Sequence, residues 1–282
     1  MGTASTAVIG LLNPGDMGAA VGRCLTGRGL TVLWASEGRS ADTAARAESA
    51  GLTDAGTPRK VAAGADVIIS VCPPHAALDV AWTVHGFTGL YLDANAVAPD
   101  TAREVASLIE GNGGQYVDGG IIGPPPHQAG STRLYLSGSS AGAIAALFDE
   151  TALEARMAGP SPMAASALKM AYAGWTKGTS ALLLGVRALA AAEGVEDALL
   201  GEWAQSLPHL RDHSDRAALA AVTKGWRWVG EMEEIAHAMT SAGLPDGFHQ
   251  AAAEVYRRCP RLAGAEPGDK LTGTVLDAVT GA

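Results

Sequence analysis

Residues 9 to 18 read IGLLNPGDMG: an apolar run breaks into a short turn and then into a helical pattern. A buried strand that feeds a helix this directly returns to a neighbouring parallel strand by a crossover, so the segment commits the chain to an α/β sheet. The turn itself is Asn13, Pro14, Gly15, Asp16, Met17 and Gly18. Set against the G-x-G-x-x-G spacing, it keeps the second and third glycines and replaces the first with asparagine. Asparagine is the residue that best tolerates left-handed backbone after glycine, so Asn13 is expected to make the tight turn. Gly15 then lets backbone approach a ligand, and Gly18 lets helix and strand close on one another.

The alternation continues beyond this turn. TVLWA (31–35), DVIISVCPP (66–74) and GLYLDANA (89–96) read as buried strands ending in loops, and QYVDGGIIGPPP and RLYLSG add further strands and a proline-rich loop. Helical patterns at 17–29, 40–51, 58–65 and 99–113 lie between the strands, which is the order of repeated βαβ units. From about Ser161 one long helical pattern runs without a strand-like break, and everything after it reads as helix. MAGPSP (157–162) interrupts both periodicities and marks the boundary. The expected fold is therefore an N-terminal doubly wound parallel sheet of the Rossmann type over residues 1–160. An all-helical domain over 161–282 follows, the two joined by a long interdomain helix.

Composition narrows the partners. The net charge is −9 and no Lys or Arg run stands out, so a polyanion such as nucleic acid gains no electrostatic footing and a small molecule is expected instead. No apolar stretch approaches the roughly 20 residues that span a bilayer, and the first six residues are too short and uncharged for a signal peptide, so a cytoplasmic location is expected. Cys24, Cys72 and Cys259 are odd in number and lack metal-ligand spacing, and read as small buried apolar residues. His209 and His213 share a helical face at a spacing able to hold zinc, but no third ligand is in sight, and no metal is expected.

A strand, a glycine-rich turn and a helix together make a pyrophosphate site, because backbone N–H groups at the helix N-terminus face the anion. Asn13 to Met17 are the residues expected to line it. An NAD-binding chain places an acidic residue at the end of the second strand, whereas this chain offers Ser36, Arg39 and Ser40, suited to a 2′-phosphate. NADP (NADPH) is therefore favoured over NAD, with Glu37 the residue that argues the other way.

In the second half, Met163 to Leu189 is apolar nearly all round, and a lysine there is costly. Lys169, Tyr172, Thr176 and Ser180 fall on one helical face and form a polar stripe expected to meet a wet cleft. Left alone, Lys169 would read as a snorkelling side chain or an ion-pair partner; beside a nicotinamide it can donate or accept a proton at the reacting carbon. Lys177 reads as a bystander. Trp226 and Trp228 flank Arg227 just before a helix; Trp226 reads as a packing residue and Trp228 as equally suited to packing or substrate stacking. Glu231, Glu233 and Glu234 read as a solvated face, although Glu231 can also reach into a partner's cleft. Asp93 and Asp118, at strand ends, read as turn formers.

These stretches resemble the β-hydroxyacid dehydrogenase superfamily, which includes 6-phosphogluconate dehydrogenase. IGLLNPGDMG is similar to its N-terminal fingerprint, VCPP to the loop after a cofactor-contacting strand, and LKMAYAGWTKG to the segment bearing its proton-transferring lysine. GRSADTAARAESAG, DANAVAP, DGGIIGPPP, TRLYLSG and RWVGEMEEIA resemble a bacterial subgroup whose C-terminal domain has no settled function. The resemblance implies a Rossmann domain, an all-helical C-terminal domain and a homodimer in which the long helix exchanges contacts between subunits; with the 2′-position residues read above, an NADP-dependent oxidoreductase is expected. It also implies that Lys169 is the general acid/base and that Asn95, Cys72 and Pro73 lie against the nicotinamide ribose; Tyr172, on the same helical face as Lys169, is placed to relay or orient the proton. Three departures bear on substrate. Ala173 stands where the family has asparagine, Ile122, Gly123 and Pro124 stand where it has a serine and two glycines, and GEMEE stands where it has a second lysine. Losing the polar anchors leaves an apolar wall and favours a less charged ketone, alcohol or imine over a simple hydroxy acid. The alternatives are an imine reductase and a non-catalytic NADPH-binding sensor or assembly subunit.

Overall fold

The computed structural model describes residues 7–281, which divide into one unit through Lys169 and a second from Met170. The first unit is built on a single sheet of eight strands. In chain order it contains β1 (Ile9–Leu12), α1 (Asp16–Thr26), β2 (Val32–Trp34), α2 (Ala41–Ser49), β3 (Thr53–Asp54) and α3 (Pro58–Gly64). It continues through β4 (Val67–Ser70), α4 (Ala77–Trp82), β5 (Leu90–Asp93), α5 (Pro99–Gly111), β6 (Gln115–Ile122), β7 (Thr132–Ser137), α6 (Ala141–Leu147) and β8 (Leu153–Met157). The spatial order is β3-β2-β1-β4-β5-β6-β7-β8, and only the β6–β7 pair is antiparallel.

The central strands are apolar on both sides because both faces of the sheet are covered, as parallel sheets require. Ile9, Leu11, Ile69, Leu92 and Val117 enter one core, and Leu12, Ile68, Tyr91, Val105 and Ile109 enter the other. Fully burying one such aliphatic side chain contributes about 1.5–3 kcal/mol, so the two layers hold the sheet at a fixed shape under any loop. The strands at 9–12, 32–34, 67–70 and 90–93 and the helices between them fall where the apolar runs predict. The short β3, α4, α6 and β8 are additions.

The second unit is helical throughout. It holds most of α7 (Ala164–Ala192), then α8 (Glu196–Ser206), α9 (Leu210–Ser241), α10 (Gly247–Arg258) and α11 (Asp269–Thr280). Trp226 and Trp228 lie inside α9 rather than ahead of a helix. Gly225 is a packing residue: a Cβ there would come within 3.3 Å of the Tyr256 ring on α10. Arg187 of α7 is 4% exposed and ties the unit together, bonding Glu196 at 2.6 Å, Asp215 at 2.7 Å and Ser214 at 2.8 Å. Thr272 of α11 donates to the same Asp215 at 3.1 Å. No described helix is long and apolar enough to cross a membrane.

Candidate active site

The carboxyl ends of β1, β4, β5 and β6 lie along one edge of the sheet. Between β1 and β4 the connections leave in opposite directions, the switch point at which open α/β sheets bind ligands. Asn13 occupies that point with φ 66°, so it makes the left-handed turn in place of glycine. Gly15 is the N-cap of α1 in extended conformation, and a Cβ on it would meet nothing within 4 Å. A Cβ on Gly18 would lie 2.5 Å from the Asn13 carbonyl oxygen, so no side chain fits under the turn. The Asn13 Oδ1 atom is buried without a hydrogen-bond partner. A bare helix N-terminus, open space over Gly15 and an orphaned buried acceptor together fit a dinucleotide's phosphates and ribose.

The loop after β2 carries the residues expected at the 2′-position. Arg39 and Ser40 are exposed, and the Ser40 hydroxyl caps α2 by accepting from Thr43 N at 3.3 Å. Ser36 is half-buried; its hydroxyl and backbone N–H serve Asp54 of β3, and the hydroxyl bond is the main cause holding that carboxyl below the usual range. Arg46, which no local pattern marks, lies on α2 with Nε 3.7 Å from Asp16 at the start of α1.

At the ends of β4 and β5, Asn95 is 2% exposed and its amide joins the two loops. Oδ1 accepts from Cys72 N at 2.5 Å and Nδ2 donates to Ser70 Oγ at 3.1 Å. Asp93 accepts from Asn95 N at 3.0 Å and from the Tyr116 hydroxyl at 3.3 Å. Burial drives the Asp93 carboxyl up to about 7, with the neighbouring Asp118 charge adding to the rise. Burial and Asp93 push the Cys72 thiol up to about 12, so at neutral pH it is a thiol and not a nucleophile. Pro73 follows it on the exposed surface.

Lys169 lies over the end of β6, where its Nζ donates to the Ile121 carbonyl at 2.9 Å. Alternation along β6 puts Ile122 on the same face as Asp118 and Gly120, the face on which Lys169 packs. Ile122 is buried at 4%. Gly123 follows at φ 130°, where a Cβ would be 2.5 Å from the Ser131 carbonyl oxygen, so only glycine turns this corner. Thr132 Oγ1 then donates to the Pro124 carbonyl at 2.5 Å and fixes the proline loop.

In the second unit Tyr172 is 46% exposed and Ala173 is buried. Thr176 and Ser180, from the polar stripe, turn their hydroxyls back to the carbonyls of Tyr172 and Thr176. Glu231 pairs with Lys177, both mostly buried, and the Trp228 ring lies 5.4 Å from the same Lys177 ammonium. Tyr256 completes the group, donating to the Lys177 carbonyl at 2.6 Å. Lys177 is therefore the centre of a cluster. Its ion-pair and hydroxyl partners lie 54 and 79 positions away in sequence, so nothing beside Lys177 itself signals the cluster.

Residues 5–153 match the family model described as the NAD binding domain of 6-phosphogluconate dehydrogenase. The chain belongs to that family. Membership places it among the NAD(P)-dependent oxidoreductases, and residues 190–259 match a domain of unknown function, DUF1932. Among solved structures, a conserved protein of unknown function reported to resemble 3-hydroxyacid dehydrogenases is 27% identical, covering 96% of this chain and 99% of that one at a TM-score of 0.65. The 3-hydroxyisobutyrate dehydrogenase of Mycobacterium tuberculosis, solved with L-serine, is 18% identical over 96% of this chain and 98% of its own, at 0.70. A reductive aminase from Aspergillus terreus, solved with NADPH and ethyl levulinate, is 19% identical over 96% and 99%, at 0.58. No curated protein matches the chain.

Proposed function

We propose that the protein is an NADP-dependent reductase or dehydrogenase acting on a small to medium, relatively apolar carbonyl or alcohol, with Lys169 as its general acid/base. The observation that carries this is the Lys169 ammonium on the Ile121 carbonyl, at the same carboxyl edge of the sheet as the Asn13 turn. Asn13, Pro14, Gly15, Asp16 and Met17 would hold the pyrophosphate, and Ser36, Arg39 and Ser40 the 2′-phosphate. Asn95, Cys72 and Pro73 would form the floor beside the nicotinamide ribose. The cofactor supplies or takes up a hydride at its nicotinamide ring when bound. In the reducing direction Lys169 gives a proton from Nζ to the carbonyl oxygen as negative charge develops there; in the oxidising direction it accepts the hydroxyl proton. Tyr172 would orient that proton, and Ile122, Gly123, Pro124 and Ala173, lacking polar side-chain anchors, would favour an apolar substrate. Trp228 and Glu231 would contribute to substrate contact.

The active form is proposed to be a homodimer. Trp175, Leu182 and Leu189 recur every seven residues on α7 with Gly178 and Gly185 between them, and all three large side chains are exposed. They border an apolar groove of about 850 Å³ that also takes in Phe248, 78% exposed. Exposed knobs alternating with glycine gaps suit a second copy of the same helix.

Titration of NADPH and NADH by nicotinamide fluorescence, followed by a panel of ketones, hydroxy acids and cyclic imines, tests the reading. Preference for NADPH and turnover of ketones are expected. Turnover of imines alone would make the protein an imine reductase, and NADPH binding without any turnover would favour a sensor.

A further inference from the structure

We infer that Asp118 is a positioning residue that fixes the Lys169 ammonium through the first turn of α7; the inference rests on reading Lys169 as the proton-transferring group. Asp118 is 1% exposed at the point where β6 meets the start of that helix. Its Oδ2 accepts from Ser137 Oγ at 2.8 Å and from Ser166 N at 2.9 Å, and its Oδ1 accepts from the Ser166 hydroxyl. Ser137 Oγ in turn accepts from Ala165 N at 3.0 Å. Two N–H groups left without intrahelical partners at the helix start are thus satisfied from the sheet, and a carboxylate there complements the helix dipole.

The second attachment lies three residues further along both elements. Ile121 follows Asp118 by three on β6, Lys169 follows Ser166 by three on α7, and Ile121 and Lys169 are joined through Nζ. Gly120 lies between the two attachments. A Cβ there would be 2.8 Å from the Ala165 carbonyl oxygen and 3.1 Å from Lys169 Cβ. Strand and helix are therefore in backbone contact at the one place where a lysine has to be held still. A long amine on a loosely docked helix would sample many rotamers; here its Cβ is pinned by the glycine contact and its Nζ by a carbonyl. Asp118 touches neither substrate nor cofactor in this account and acts only by holding the helix register.

Trace labelling with acetic anhydride, read by mass spectrometry, reports how readily each lysine amine is reached. The rate for Lys169 is taken relative to exposed Lys60 and Lys270 in the full-length protein and in Ser166→Ala, Ser166→Thr and Gly120→Ala. A rise of several-fold in the Lys169 ratio is expected for Ser166→Ala and Gly120→Ala, with NADPH binding within twofold of the parent. Ser166→Thr, which keeps the hydroxyl, is expected to return the ratio to the parent value. A ratio unchanged in folded Ser166→Ala, or raised equally in Ser166→Thr, would overturn the assignment. If Gly120→Ala fails to fold, the two Ser166 variants decide. Labelling is read without turnover, so a Lys169→Met variant with undiminished NADPH oxidation would remove the proton-transfer reading while leaving the clamp to stand or fall on its own result.

Discussion

Asn13 combines a left-handed backbone with a buried, unpartnered side-chain oxygen, and the two properties separate under mutation. Asn13→Gly is expected to leave thermal stability near the parent and to weaken NADPH binding only modestly. Asn13→Val places a β-branched residue at positive φ, which costs about 1–2 kcal/mol, and should lower the melting temperature and NADPH affinity together. Asp93 gives a pH signature. Its carboxyl titrates near 7 in the folded protein and near 3.8 when exposed, so the native state holds a proton that the unfolded chain releases. Stability is then fully present below the unfolded value and is lost as pH rises through the folded one, with a slope of at most about 1.4 kcal/mol per pH unit. Denaturant melts from pH 5 to 8 should show that decline, and Asp93→Asn should flatten it. The turn and Lys169 were legible in the sequence because each is out of place locally, an asparagine in a glycine position and a lysine in an apolar helix. Asp93 and Asp118 were not, because their partners Tyr116, Ser137 and Ser166 lie 19 to 48 residues away and only the fold gathers them.

Elements were legible where burial imposes a long pattern. The central strands declare themselves because both faces of the sheet are covered, and α7 because its 29 residues leave no strand-like break. The two-residue β3 and five-residue β8 at the sheet edges are too short or too exposed to leave a pattern. Trp226 and Trp228 read as lying ahead of a helix, whereas α9 runs through them and Gly225 packs beneath the Tyr256 ring of α10. Arg187 is the residue on which the helical unit most depends. Arg187→Ala strands the carboxylates of Glu196 and Asp215 beside an apolar helix and should cost about 3 kcal/mol, read as a lowered denaturant midpoint. Glu196→Gln, which keeps a hydrogen-bond acceptor, should cost less.

For the molecule as a whole, the family match over residues 5–153 and the Rossmann strand order confirm the fold class and the dinucleotide-binding family anticipated from IGLLNPGDMG. The proposed homodimer through the exposed apolar face of α7 predicts a dimer in sedimentation velocity for the parent and a monomer for Leu182→Asp, with far-UV circular dichroism unaltered; a parent monomer, or a Leu182→Asp dimer, would exclude that contact. The central claim is that Lys169 transfers the proton while the Asn13 turn holds the cofactor. It is tested most directly by following NADPH oxidation at saturating ketone for the parent and Lys169→Met, with NADPH affinity measured on the same samples. The account predicts affinity within about twofold and a rate lower by at least about a hundredfold, the usual range for losing a general acid. A Lys169→Met protein that binds NADPH and turns over at the parent rate would contradict it.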